Sequence, residues 1–339
     1  MISNNANSNL TIVLPSDGVL YDGTKDFLER CDLSFMRASN RRYVGSIPNL
    51  TNSTVLFQRA GDVVSKIEDG GAELGITGLD RFTETVKGNG DAIVLIDDLG
   101  YGSCDLVPAV PSGWLDVVTI SDLAEVSFDF KQTGRQMRIA TKYPRMVSKY
   151  LISNGIEHFS LVNIAGTVEV APSSGYADLI VDLVVSGETL RENGLRALDG
   201  PSILSSQACL IGNKELIGSS DFVLSQVKKV LETMEAYLYA DSYYEIVAST
   251  EGISEKEIIG SLEEKLGSQK LKYSVASQVY NSDEKQRFNI SIIIKKSELV
   301  DMVEYLRTIN VGNIITSPVR YIFGRTCASY QAMLSKLSL

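Results

Sequence analysis

Histidine is nearly missing: the 339-residue chain holds one, His158. Zinc clusters built on imidazole, and Ser-His-Asp or Cys-His nucleophile schemes, need histidine at defined places, and a single residue leaves little room for either. His158 stands between Glu157 and Phe159 after an Asn154-Gly155 turn signal, where an exposed structural role is expected. Cysteine is scarce and scattered. Cys31, Cys104, Cys209 and Cys327 show no CxxC spacing, which argues against zinc and dithiol redox chemistry and fits reduced thiols in a cytoplasmic compartment. Long apolar runs are lacking too, since stretches such as Leu183-Val184-Val185 fall far short of the roughly 18 residues that span a bilayer. Met1 to Asn9 has neither a positive n-region nor an apolar h-region, so no secretory leader is read there.

Positive charge is the minority, with 32 Lys and Arg against 42 Asp and Glu and a net charge of −10. Such a balance disfavours nucleic acid and anionic membrane surfaces as partners, and any anionic ligand needs a local basic site. The rest is ordinary globular composition, 44% hydrophobic and 22% charged. At about 150 residues per domain, the length predicts two or three domains.

From about residue 10 to 212, short β-branched runs alternate with helix-like segments, the pattern of an α/β fold with a mainly parallel sheet. Strands are expected at 10–14, 54–57, 74–77, 93–96, 137–141, 161–164, 179–184 and 207–211. A helix over 221–239 follows, with Val223, Val227, Val230, Leu231, Met234 and Leu238 spaced three or four apart. Beyond it the order reads strand, helix, strand, strand, helix, strand, the ferredoxin-like βαββαβ unit.

The stretch richest in chemistry runs from Gly175 to Leu190, where an apolar strand enters Ser186-Gly187-Glu188-Thr189 and then a helical segment. Backbone N–H groups and two hydroxyls converge at a helix start, a geometry that binds phosphate. Asp182, near the strand's end, is placed to accept hydrogen bonds from sugar hydroxyls. A plain strand-to-helix turn with Ser186 as N-cap is the competing reading.

This stretch resembles ATP phosphoribosyltransferase of the long, self-regulated form. Four further blocks carry the resemblance in the family's order: Gly75-Ile76-Thr77-Gly78-Leu79-Asp80, Leu99-Gly100-Tyr101-Gly102-Ser103-Cys104, Ala140-Thr141-Lys142-Tyr143-Pro144, and Gly166 through Pro172. The resemblance implies a two-lobed α/β catalytic part like that of periplasmic binding proteins, followed by a ferredoxin-like regulatory domain. Lobe I would cover 1–97 and be completed by 183–240, lobe II 98–182, and the regulatory domain 243–339. It also implies a reaction, attack of N1 of ATP on C1 of phosphoribosyl pyrophosphate with release of pyrophosphate, the first step of histidine biosynthesis.

Carried over by residue, Ser186, Gly187, Glu188 and Thr189 would hold the 5-phosphate and Asp182 the ribose hydroxyls. Glu169 would orient the ribose or a metal-bound water, or else serve only as a helix-start carboxylate. Lys142 joins Asp182 and Glu169 as a catalytic candidate. Ser16, Gly18, Arg42, Arg59, Thr77 and Gly78 are the nucleotide and pyrophosphate candidates, with Arg41 and Arg145 as further basic residues. Mg²⁺ is the implied cofactor, held mainly by substrate phosphates.

The chain departs from the family at Asp17 and Val19, where many members carry Lys and Arg around the glycine. Either Arg41 and Arg42 supply the missing charge or ATP takes a different pose. The family's regulatory domain binds histidine as inhibitor and assembles the protein from dimer to hexamer, with Asp241, Tyr273, Ser274 and Thr316 as pocket candidates. A catalytically silent paralogue and a solute-binding protein remain as alternative readings.

Overall fold

The computed structural model describes residues 9–39, 42–88, 90–164, 166–251, 255–266, 274–279 and 287–337. Its first sheet holds β1 (Leu10–Pro15), β2 (Val44–Gly45), β3 (Ser53–Gln58), β4 (Leu74–Gly78), β5 (Ala92–Ile96) and β12 (Ala208–Asn213), in the order β2-β3-β1-β4-β12-β5. The β-branched and leucine-rich runs of β1 and β12 are almost fully buried, as strands covered on both faces must be. Helices α1 (Gly18–Arg30), α2 (Ala60–Glu68) and α3 (Leu79–Thr85) leave the carboxyl ends of β1, β3 and β4. Val13 of β1 and Cys209 and Ile211 of β12 pack in one core with Val63, Val64 and Ile67 of α2.

The second sheet holds β6 (Cys104–Pro111), β7 (Met137–Thr141), β8 (Phe159–Asn163), β9 (Leu179–Val184), β10 (Leu195–Ala197) and β11 (Leu204–Ser206), ordered β10-β6-β9-β7-β8 with β11 also on β6. Helices α4 (Ile120–Gln132), α5 (Pro144–Ser153) and the one-turn α6 (Glu188–Glu192) accompany it, and the short α7 (Lys214–Ile217) follows β12 of the first sheet. Thr119 starts α4 with a capping box, its backbone N–H donating to the Asp122 carboxylate at 2.7 Å while its hydroxyl accepts from the Asp122 N–H.

Two expectations are corrected. The sheets are mixed, because β12 runs antiparallel to both β4 and β5, and β6 antiparallel to β9, β10 and β11. The chain stays with the second sheet as far as Ser206, where the sequence reading returned it to the first at 183, since β10 and β11 share one edge of the long β6. Strand β6 itself escaped notice because Pro108 and Pro111 argue against a central strand. Pro108 is accommodated where its side of the ladder is interrupted: β10 pairs with Ala109 to Pro111 and β11 with Cys104 to Leu106, and the Pro108 carbonyl accepts from Leu198 N–H at 2.9 Å.

By contact density the chain divides into two units, one up to Lys228 joined by the residues from Ala332, the other Lys229–Gln331. The second unit begins inside the long helix α8 (Asp221–Ala240) and not at 243, since Ile322 N–H donates to Ala236 O and the Glu235 carboxylate accepts from the Ala328 and Ser329 N–H groups at 2.8 and 2.6 Å. That carboxylate caps the closing helix α11 (Ala328–Leu337). The unit carries β13 (Tyr243–Glu251), α9 (Glu255–Leu266), β14 (Ser274–Val279), β15 (Arg287–Lys295), α10 (Leu299–Thr308) and β16 (Gly312–Pro318), with sheet order β14-β15-β13-β16. All three strand pairings are antiparallel, which is the expected ferredoxin-like βαββαβ arrangement. Among the described residues, no helix is long and apolar enough to cross a membrane.

Candidate active site

Strand β9 is buried through Leu179, Ile180 and Val181, then emerges through Asp182 to Val185, which is 85% exposed. The turn after it requires Gly187, whose φ of +72° lies in the left-handed region that L side chains avoid. This turn and the strand end form a cavity of about 140 Å³ lined by Glu169, Asp182, Ser186, Gly187 and Thr189, with Leu183, Val184, Val185 and Leu190. Glu188 opens α6, is exposed, and is not one of the lining residues. The structure thus joins Glu169, in a single turn at Val168–Val170, to a loop about twenty residues further along the chain.

The Asp182 carboxyl titrates above its ordinary value, pushed up first by burial and further by the Glu169 charge. Opposing this are the Leu183 N–H, which donates to Asp182 Oδ1 at 2.9 Å, and the positive charges of Lys142 and Arg81. Lys142 follows the carboxyl end of β7, parallel neighbour of β9, so two strand ends present an acid and a base to each other. Among the described residues, no three His, Cys, Asp or Glu side chains gather as a metal cluster. Asp182 and Glu169 form a carboxylate pair of the kind that joins substrate phosphates around Mg²⁺.

Most of the nucleotide candidates share the carboxyl edge of the first sheet, the edge where ligands bind in such folds. Ser16 follows β1 and donates its N–H to Gln58 O at 2.7 Å; Gly18 (φ +76°) opens α1; Arg59 is the N-cap of α2. Arg42 lies just before β2, which runs antiparallel to β3 and brings it to the Gln58 end. Thr77 and Gly78 are buried at the end of β4, and the Thr77 hydroxyl donates to Ala60 O at 3.4 Å, so these two shape the edge from beneath. A Cβ on Gly78 would collide with the Asp80 carboxylate. Asp17 is the N-cap of α1 without a side-chain cap bond, and Val19 is 84% exposed. Arg41 lies outside the described residues.

Arg145 is committed elsewhere, its Nε donating to Glu84 O at 2.8 Å while the Glu84 carboxylate accepts from the N–H groups of Arg145 and Met146. Beside it the structure gathers four residues that sequence reasoning missed. The Asp80 carboxylate, 5% exposed, accepts from the Tyr143 hydroxyl at 2.7 Å and from the Ser206 hydroxyl at 2.8 Å, while its N–H donates to Ser206 Oγ at 2.9 Å. Arg81 Nε stands 3.6 Å from Asp80, with its guanidinium 4.8 Å above the Tyr143 ring. Asp80 closes one of the sequence blocks, but nothing in its spacing announces partners 63 and 126 residues away.

Of the four histidine-pocket candidates, the three among the described residues lie apart within one chain. Asp241 pairs with Lys296 at 3.4 Å beyond the end of α8. Thr316 is exposed on β16, while Ser274 begins β14 at the opposite edge of the sheet. The register puts Ser274, Ile292, Ile246 and Thr316 in one row, so three strand spacings of about 4.8 Å separate the outer two. Tyr273 lies outside the described residues.

A family profile described as ATP phosphoribosyltransferase matches residues 59–236. ATP phosphoribosyltransferase 2, chloroplastic, from Arabidopsis thaliana is 33% identical over 332 residues, spanning 96% of this chain and 80% of that protein. ATP phosphoribosyltransferase from Nitrobacter hamburgensis is 35% identical over 239 residues, 70% of this chain and 73% of that protein. A solved structure of the ATP phosphoribosyl transferase (HisG:HisZ) complex from Thermotoga maritima superposes with a TM-score of 0.52 at 26% identity, covering 67% of this chain and 98% of that one.

Proposed function

This chain belongs to the ATP phosphoribosyltransferase family of histidine biosynthesis, and we propose that it joins N1 of ATP to C1 of phosphoribosyl pyrophosphate, releases pyrophosphate, and is feedback-inhibited by histidine. The observation that carries this reading is the cavity at the end of β9, where a phosphate-sized turn adjoins two carboxylates. Ser186, Gly187, Glu188 and Thr189 hold the 5-phosphate through hydroxyls and backbone N–H groups. Asp182 accepts from the ribose hydroxyls, and Glu169 fixes the ring or a metal-bound water. Transfer at an anomeric carbon passes through an oxocarbenium-like state, which needs positioning and charge stabilisation more than a strong base. Two carboxylates near the ribose suit a developing positive charge, and Lys142 offsets phosphate charge at the same place. Arg59, Arg42, Ser16 and Gly18 receive the nucleotide and pyrophosphate on the edge that Thr77 and Gly78 shape.

Mg²⁺ supplies neutralisation of the pyrophosphate charge when bound, and Asp182 and Glu169 are the residues that would share it with substrate oxygens. Histidine acts through the ferredoxin-like unit, a coupling between two sites. Assembly as a homo-oligomer, from dimer to hexamer, and a cytoplasmic location complete the reading. Its test is kinetic. Asp182→Ala removes turnover without unfolding the protein, and Thr189→Ala raises KM for phosphoribosyl pyrophosphate; unchanged kinetics in both variants would overturn the site.

A further inference from the structure

We infer that Asp80 is a positioning residue for the transfer: its buried carboxylate ties the end of β4 to the start of α5 and to the chain's return into β12, and so holds Lys142 and Arg81 against Asp182. The inference rests on the phosphoribosyl-transfer reading of that site.

A carboxylate taken out of water is unfavourable unless hydrogen bonds and a counter-charge replace the lost solvent. Asp80 has both, from three places in the chain. Tyr143 is the residue after Lys142 and the N-cap of α5, itself 1% exposed. Ser206 ends β11, two residues before β12 begins, at the point where the chain crosses from the second sheet to the first. Arg81 is Asp80's own neighbour on α3, and the Tyr143 ring supports its guanidinium from below. One carboxylate at the start of α3, just past β4 of the first sheet, is therefore bonded to two segments that accompany the second, the N-cap of α5 and the end of β11.

The consequence for the site is geometric. Both cations that act on the Asp182 carboxyl, Lys142 and Arg81, are joined directly to this network, the first through the chain and the second through the ion pair and the ring. Burial, with the Asp80 charge adding to it, pushes the Tyr143 phenol far above its ordinary value, so its hydroxyl stays a donor throughout the working pH range. Gly78 completes the device, because any side chain there would collide with the folded-back carboxylate.

The experiment uses the full chain with Asp80→Asn, Tyr143→Phe and the double variant. Tyr143→Phe keeps the ring under Arg81 and removes only the hydroxyl, so it carries the test if Asp80→Asn unfolds. Misplacing reacting groups lowers kcat, here by about tenfold to a hundredfold, while KM for either substrate changes by less than about threefold. The double variant loses no more than Asp80→Asn alone, as expected for two members of one network. Amide hydrogen exchange rises together in 143–150 and 204–208. A kcat within about twofold of wild type in both variants, or losses that simply add, overturns the inference. A wild-type chain that makes no phosphoribosyl-ATP refutes the functional reading instead; unchanged exchange in either segment then overturns the tie itself.

Discussion

Gly187→Ala isolates the contribution of one backbone conformation to phosphate binding. The φ of +72° places this residue in the left-handed region, which an L side chain enters at a cost of roughly 1–2 kcal/mol. Steric collision contributes nothing, because a Cβ would meet only Arg191 Nη1 and Val184 Cγ1, both at 3.9 Å. Because the turn is exposed at Val185, Ser186 and Glu188, the alanine variant is expected to relax out of the left-handed region when no phosphate is bound. Binding must restore the left-handed turn, so the whole strain appears in affinity. At about 1.4 kcal/mol per factor of ten, the dissociation constant for phosphoribosyl pyrophosphate rises by roughly fivefold to thirtyfold. Titration calorimetry with Mg²⁺ present measures it. Gly187→Asn falls between wild type and alanine, since asparagine enters this region more readily. An alanine variant that binds within about twofold of wild type, or an asparagine variant weaker than alanine, would refute the reasoning.

Other expectations follow from the charges. Because burial pushes the Asp182 carboxyl up, the acid limb of kcat/KM lies above the ordinary carboxylate range, and Lys142→Met, which removes an opposing positive charge, moves that limb higher still; a pH–rate profile decides. Asp178 accepts from both the side chain and the backbone N–H of Arg138, which outweighs burial and holds its carboxyl below the ordinary value. Asp178→Asn therefore lowers stability by about 1–3 kcal/mol in urea unfolding near neutral pH. Its effect is fully present above the unfolded carboxyl's ordinary value and vanishes as pH falls through the lowered one. Burial, with Asp80 next, pushes the Cys104 thiol up to about 11, so alkylation at pH 8 runs about a hundredfold slower than at an ordinary thiol. In Asp80→Asn that thiol reacts faster, which peptide mass spectrometry reads directly.

What the sequence made legible is what short-range pattern carries. The run Leu179 to Val181 is apolar and β-branched because it is buried before the strand emerges at Asp182, and the strand and its phosphate-like turn were both readable. The βαββαβ order was readable for the same reason, its strands and helices differing in period. Strand β6 was hidden by two prolines, of which Pro108 falls in the gap between β10 and β11 and Pro111 is the strand's last residue. The three-residue β10 and β11 are too short to show alternation, so the second sheet looked complete too early. Side-chain commitment was equally invisible: Arg145 reads as a free cation until Glu84 is seen beneath it, and Thr77 as a ligand contact until its burial is known. The Asp80 network depends on folding that brings three distant segments to one carboxylate, and no local spacing encodes that.

The central claim is phosphoribosyl transfer to ATP at the end of β9. Its most direct test is a spectrophotometric assay of the purified full chain with ATP, phosphoribosyl pyrophosphate, Mg²⁺ and pyrophosphatase, with and without histidine. The account predicts phosphoribosyl-ATP whose formation histidine suppresses. Absence of product from folded protein would contradict it and turn attention to Asp17 and Val19, the acidic and apolar residues around Gly18.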